Sequence, residues 1–205
     1  MPVNFYFVPC GNPHGNCQSE TVLCLQNILV AIFSIDDTNG AKSIPAKVNI
    51  SNPNPSTDFI VENRSDIPVF FKAVDWCVQI FRTGTYNLTD VNRNYTQFSS
   101  DNINSQRRGL IKRCEGFIQY NNRIVFIEIK NRRSQRGDWI EDSREKFEET
   151  ILSFKEHHPQ LASLIVKPIL ANPAFIGPHP NEAIQKKILK DKIGVEFLRA
   201  DKITI

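Results

Sequence analysis

Long hydrophobic runs are absent from this chain. The longest uninterrupted apolar stretch runs from Ile28 to Phe33, against the roughly 20 residues that a membrane-spanning helix needs. The opening residues, MPVNFYFVPCGNPHGN, have neither a basic start nor a long apolar segment, so no secretory signal is expected. Cysteine is sparse and odd in number, five in 205 residues, which does not suit a small disulfide framework and points to reduced thiols. Net charge is nearly absent too, at +3 from 25 Lys+Arg and 22 Asp+Glu. No internal repeat is visible, and no linker divides the chain clearly. What remains is an ordinary globular composition, 40% hydrophobic and 10% aromatic, which excludes wholesale disorder. The length suits one domain, or one domain with an elaboration, and a substantial core. A cytoplasmic protein is the expectation.

The small net charge is an average over unlike parts. Residues 1–104 carry 6 Lys+Arg and 9 Asp+Glu, residues 105–140 carry 9 and 3, and residues 141–205 carry 10 and 10. The positive excess therefore lies in the middle stretch, in Arg107, Arg108, Lys112, Arg113, Arg123, Lys130, Arg132, Arg133 and Arg136. A local basic patch is the footprint of a polyanion binder, although a solvated surface produces the same count.

Pattern reading predicts a mixed α/β chain. Residues 3–9 read as a strand. Residues 20–35 fit either a buried helix after Ser19 or strands leading into the DDTNG turn, because periodicity cannot separate the two in so apolar a run. Three prolines, Pro45, Pro53 and Pro55, make residues 43–57 edge strand and loop. Strands are expected near 58–62 and 69–81, and the Asn-rich residues 83–106 read as a long inserted loop. Further strands are expected at 111–120, 123–131 and 161–170. Helices are expected from Asp142 to about His157, with Asp142 and Glu145 as a capping box, and from Asn181 to about Lys192, closed by Gly194. Residues 195–205 suggest a terminal strand or hairpin. This order predicts a mixed central sheet flanked by helices.

The most informative stretch is Lys112 to Arg133, KRCEGFIQYNNRIVFIEIKNRR. Asn121-Asn122 can form a two-residue hairpin turn, since Asn tolerates positive φ. Tyr120 then pairs with Arg123, and Glu115 falls directly across from Glu128. Lys130 shares their face, because side chains alternate along a strand. Two carboxylates opposed across a strand pair repel each other. A divalent cation held by their oxygens would compensate, and Lys130 would offset part of the repulsion.

Glu115, a short turn, Glu128-Ile129-Lys130 on an apolar strand and a following helix together resemble the PD-(D/E)XK nuclease superfamily, over residues 69–200. The resemblance implies a restriction endonuclease-like core at 69–205, with the insertion at 83–106 and a β-rich elaboration at 1–68. It implies a nuclease that hydrolyses phosphodiester bonds in DNA with Mg or Mn. Glu115 and Glu128 would be the metal-binding acids, the Ile129 backbone carbonyl a further ligand, and Lys130 the catalytic lysine. Glu115 departs from the family's usual Asp, and no proline precedes it. An inactive nuclease-like fold that binds nucleic acid or protein is the alternative. A homodimer is a further implication, and the acidic, loop-rich N-terminal 65 residues are a candidate protein-interaction unit.

Other residues are weighed beside these. Glu20 matches an extra family acid if residues 19–34 are helical, but acids are favoured at helix starts in any case. Asp75 could approach the site or satisfy a local hydrogen bond. Lys146 stands where some family members place an auxiliary polar residue, or on a solvated helix face. Arg107, Arg108, Arg113, Arg132, Arg133 and Arg136 are candidate phosphate contacts. Trp139 could stack on a base or anchor a helix in the core. Cys10, His14, Cys17 and Cys24 could hold zinc, but their spacings match no common finger or ribbon.

Overall fold

The structure, a computed structural model, describes residues 25–37, 46–75, 86–88, 91–93, 112–133, 137–175 and 177–205. It is a mixed α/β arrangement with two mixed sheets. The first has six strands in the order β1-β5-β8-β9-β10-β11, formed by Leu25–Ile28, Val69–Ala73, Gly116–Tyr120, Arg123–Ile129, Ile169–Ala171 and Leu198–Arg199. The second has four strands in the order β12-β4-β2-β3, formed by Lys202–Thr204, Phe59–Glu62, Ile32–Asp36 and Lys47–Asn49. A two-stranded ribbon pairs β6 (Tyr86–Leu88) with β7 (Val91–Arg93). The α-helices among the described residues are α1 (Trp139–His157) and α2 (Glu182–Ile193). Among the described residues, no helix is long and apolar enough to cross a membrane.

The hairpin of β8 and β9 forms in the expected register, with Tyr120 across from Arg123 and Gly116 across from Ile127. Its turn residues Asn121 and Asn122 both take positive φ, 42° and 57°, the geometry that matches the twist of a two-residue hairpin. Phe117 and Phe126 face each other across the strands with ring centroids 5.7 Å apart. Phe154 of α1 closes edge-on over both rings, at 5.9 and 5.4 Å. This aromatic cluster sets α1 on the face of the sheet that also carries Glu128.

Several elements differ from the sequence reading. Of the two readings open for residues 20–35, the strand one holds over residues 25–36, because β1 pairs with β5 and β2 with β4. The segment 83–106 is not wholly loop, since it contains β6 and β7. Residues 161–170 are not one strand. Pro159–Leu164 forms a 3-10 helix, Ile165 makes a single parallel bridge to Ile124, and Pro168, which has no N–H to give to a ladder, lies between that bridge and the strand that starts at Ile169. Helix α1 starts at Trp139 with Asp138 as N-cap, so Asp142 lies inside the first turns and does not cap the helix. Helix α2 ends as expected at Gly194, whose φ is 87°. Residues 195–205 form two strands but not a hairpin: β11 joins the six-stranded sheet and β12 the four-stranded one. Both sheets draw strands from either side of position 68. The strand expected at 3–9, and the cysteines and histidine considered for zinc, lie outside the described residues.

Candidate functional site

The backbone around the two glutamates is fixed from several directions. Glu115 immediately precedes β8, and its carbonyl accepts a hydrogen bond from Val74 N–H at 2.8 Å. One residue earlier, Cys114 N–H donates to Thr150 Oγ1 of α1 at 3.0 Å, and Lys112 N–H donates to the Glu149 carboxylate. The strand entry is thereby tied to the helix that supplies Lys146. On the other side, Glu128 lies within β9 against β10, and Lys130 N–H donates to Ala171 carbonyl at 2.8 Å.

These restraints bring together Glu115, Glu128, Lys130 and Lys146. The Glu128 side chain is fully buried and that of Glu115 nearly so. Lys146 Nζ lies 3.3 Å from Glu115 Oε1 and 2.8 Å from Glu128 Oε1, bridging the two carboxylates. Lys130 Nζ lies 2.8 Å from the same Glu128 oxygen and 2.9 Å from Asp142 Oδ2. Among the described residues, Glu128 Oε2 is buried with no hydrogen-bond donor, an expensive condition for a carboxylate oxygen.

The electrostatics follow from this crowding. Burial and the neighbouring Glu128 push the Glu115 carboxyl well above its ordinary range, with Lys146 only partly opposing them. Burial disfavours the charged form of Lys146, yet Glu128, Glu115 and Asp75 outweigh it and hold the ammonium protonated. Lys130 follows the same balance, burial lowering its pKa and Glu128 and Asp142 raising it to a net increase. Asp142 shows the reverse: burial works against ionisation, but Lys130 and Lys112 bring its carboxyl down to about 2. Lys112 contacts Asp142 at 3.1 Å and Glu145 at 2.5 Å, which makes a chain of alternating charge along the start of α1.

Two members of this group are not legible in local sequence pattern. Asp142 reads as a helix cap but serves as an ionic partner of Lys130. Asp37 follows β2 in the four-stranded sheet, and burial, then Glu128, raises its pKa from 3.8 to about 7. The signal for Asp142 was its spacing: four residues before Lys146, it shares that residue's helix face. Asp37 had no such signal, since the second sheet delivers it from a distant part of the chain.

Asp37 supplies a stability prediction. Its folded pKa lies above the unfolded value, so between about pH 4 and pH 7 the folded state binds more protons, and stability falls as pH rises. In urea titrations, Asp37→Asn is expected to flatten part of this decline and to gain about 1–2 kcal/mol at pH 8, a value reduced for partial exposure. Parallel pH profiles for wild type and variant would remove Asp37 from the group.

The remaining candidates divide. Arg113 is buried and lies 3.1 Å from Asp75, so these two residues engage each other and Arg113 is not a surface phosphate contact. Trp139 is buried against His179, with the Arg199 guanidinium over its ring; it anchors the start of α1 and is not placed to stack on a base. Arg132 and Arg133 are exposed. Asn172 fixes the Arg132 backbone through hydrogen bonds of 3.0 and 3.1 Å. Glu20, Arg107, Arg108 and Arg136 lie outside the described residues.

Among the described residues, no three His, Cys, Asp or Glu side chains form a ready ligand cluster. The two carboxylates nevertheless suit Mg²⁺ or Mn²⁺ chemically. Both offer hard oxygen donors, one oxygen has no donor, and Mg²⁺ sites commonly use one or two carboxylates with water and phosphate completing the shell. No protein-family model, curated protein or solved structure matches this chain.

Proposed function

We propose that the protein is a metal-dependent nuclease of the PD-(D/E)XK type that hydrolyses phosphodiester bonds in DNA. One observation carries the reading: a fully buried glutamate with a donor-free oxygen lies beside a second buried glutamate, under two lysines. Such an arrangement costs stability, because two buried acids repel each other and one desolvated carboxylate oxygen lacks a donor. Glu115 and Glu128, with the Ile129 backbone carbonyl, would hold Mg²⁺ or Mn²⁺. When bound, the ion supplies Lewis-acid charge to a phosphoryl oxygen. Lys130, protonated and held between Glu128 and Asp142, is suited to orient the attacking water and to stabilise negative charge as it develops. The exposed Arg132 and Arg133, just beyond Lys130, are suited to contact the flanking backbone.

A second reading has its own support. Lys146 already bridges both glutamates, and an ammonium in that place is also what a nuclease-like fold would contain had it given up metal and become a binding module. Incubation of the full chain with supercoiled and linear DNA separates the two. Cleavage that requires Mg²⁺ and stops on chelation is the expected result; DNA binding without cleavage under any divalent ion would overturn the nuclease reading in favour of the module.

A further inference from the structure

The cation that neutralises the glutamate pair in this structure is part of the protein. Lys146 Nζ contacts one oxygen of Glu115 and one of Glu128, while Lys130 contacts that same Glu128 oxygen. Lys130 is shared with Asp142, so Lys146 is the cation that lies on both glutamates. A divalent ion entering beside that ammonium would meet a like charge at short range in a buried place, where charge is poorly screened. The donor-free Glu128 Oε2 shows that the pair still has coordinating capacity that the lysines do not use.

We propose that Lys146 is the resident counter-ion of Glu115 and Glu128, and that a divalent ion binds by displacing its ammonium. Lys146 thereby sets the metal affinity of the site. Its length and flexible stem suit this exchange, since the ammonium can withdraw along the surface of α1 without movement of the helix. The inference rests on the metal-site reading given above, and it assigns Lys146 a positioning role, with no contact to the reacting atoms.

The test is calorimetric titration of Mn²⁺ into the full chain as wild type, Lys146→Met, Lys146→Gln, Lys146→Arg and Glu128→Gln, with folding of each checked by circular dichroism. Removal of the charge is expected to tighten Mn²⁺ binding by at least about tenfold, given the strength of charge repulsion at such short range. Lys146→Arg should bind no tighter than wild type, and Glu128→Gln should bind poorly. In thermal melts the neutral variants should be less stable than wild type in chelator and gain more on adding Mn²⁺. If Lys146→Met fails to fold, Lys146→Gln retains a hydrogen-bonding end and gives the same comparison. Equal or weaker binding by folded neutral variants overturns the displacement role while leaving the metal site intact. Tightening by Lys146→Arg equal to that by Lys146→Gln overturns it as well, since charge would then be irrelevant. No binding by any form, the neutral variants included, overturns both the displacement role and the metal-site reading.

Discussion

Lys130→Met is expected to lower the rate of Mg²⁺-dependent DNA cleavage by about 10²–10³-fold, the usual loss when a preorganised charge at a reacting centre is removed. The side chain is only 13% exposed and lies between two carboxylates, at 2.8 and 2.9 Å. A group restrained in this way needs little reorganisation when negative charge develops beside it. Methionine keeps nearly the same length and fills the same space, so the comparison isolates the ammonium. Asp142, ionised down to about pH 2, would lose one partner but keep Lys112. Single-turnover cleavage under saturating Mg²⁺ measures the effect, with near-ultraviolet circular dichroism as the folding control. A folded variant that cleaves within about threefold of wild type would remove Lys130 from the chemistry.

Phe126→Ala is expected to destabilise the fold by about 3–5 kcal/mol, the range for truncating a buried phenylalanine. Phe126 is fully buried and touches both Phe117 and Phe154. Its removal opens a cavity between the hairpin and α1 that neither rigid element can close. The effect reaches the site, because this contact sets the height of α1 above β9 and hence the position of Lys146 over the glutamates. Urea denaturation should show a lower midpoint with an unchanged slope. A loss under 1 kcal/mol would mean that the hairpin and helix are held together mainly by other contacts.

The parts of this fold that could be read in advance are those set by neighbours in sequence. Asn121-Asn122 specifies a hairpin turn, and the turn dictates a register that runs from Tyr120 across from Arg123 to Gly116 across from Ile127, with Glu115 the residue just before the ladder. Gly194 marks the end of α2 for a similarly local reason. The parts left open or misread depend on distant partners. Residues 25–36 are strands because β5 and β4 offer them edges, and nothing within the apolar run itself decides between strand and helix. The start of α1 at Trp139, which is buried against His179, is not marked in the local pattern, where Asp142 has an equally good reason to be a cap. At the site, strand alternation located Glu115, Glu128 and Lys130. It could not locate Asp37, which arrives from the other sheet, nor establish that Lys146 points inward rather than into solvent.

The separate destinations of β11 and β12 bear on how the molecule comes together in time. Lys202–Thr204 pairs in parallel with β4, and Lys202 Nζ reaches Glu62 across 140 positions of chain. The four-stranded sheet that carries Asp37 therefore lacks its β4 edge partner until these late residues have docked. Closing so long a loop is entropically slow, and it precedes the contacts that reward it. The hairpin can form early from local pairing, whereas the sheet that delivers Asp37 toward Glu128 is completed by one of the most remote contacts in the fold. An intermediate with a formed hairpin but undocked β12 would have its two glutamates in place before the sheet that brings Asp37 to them is complete.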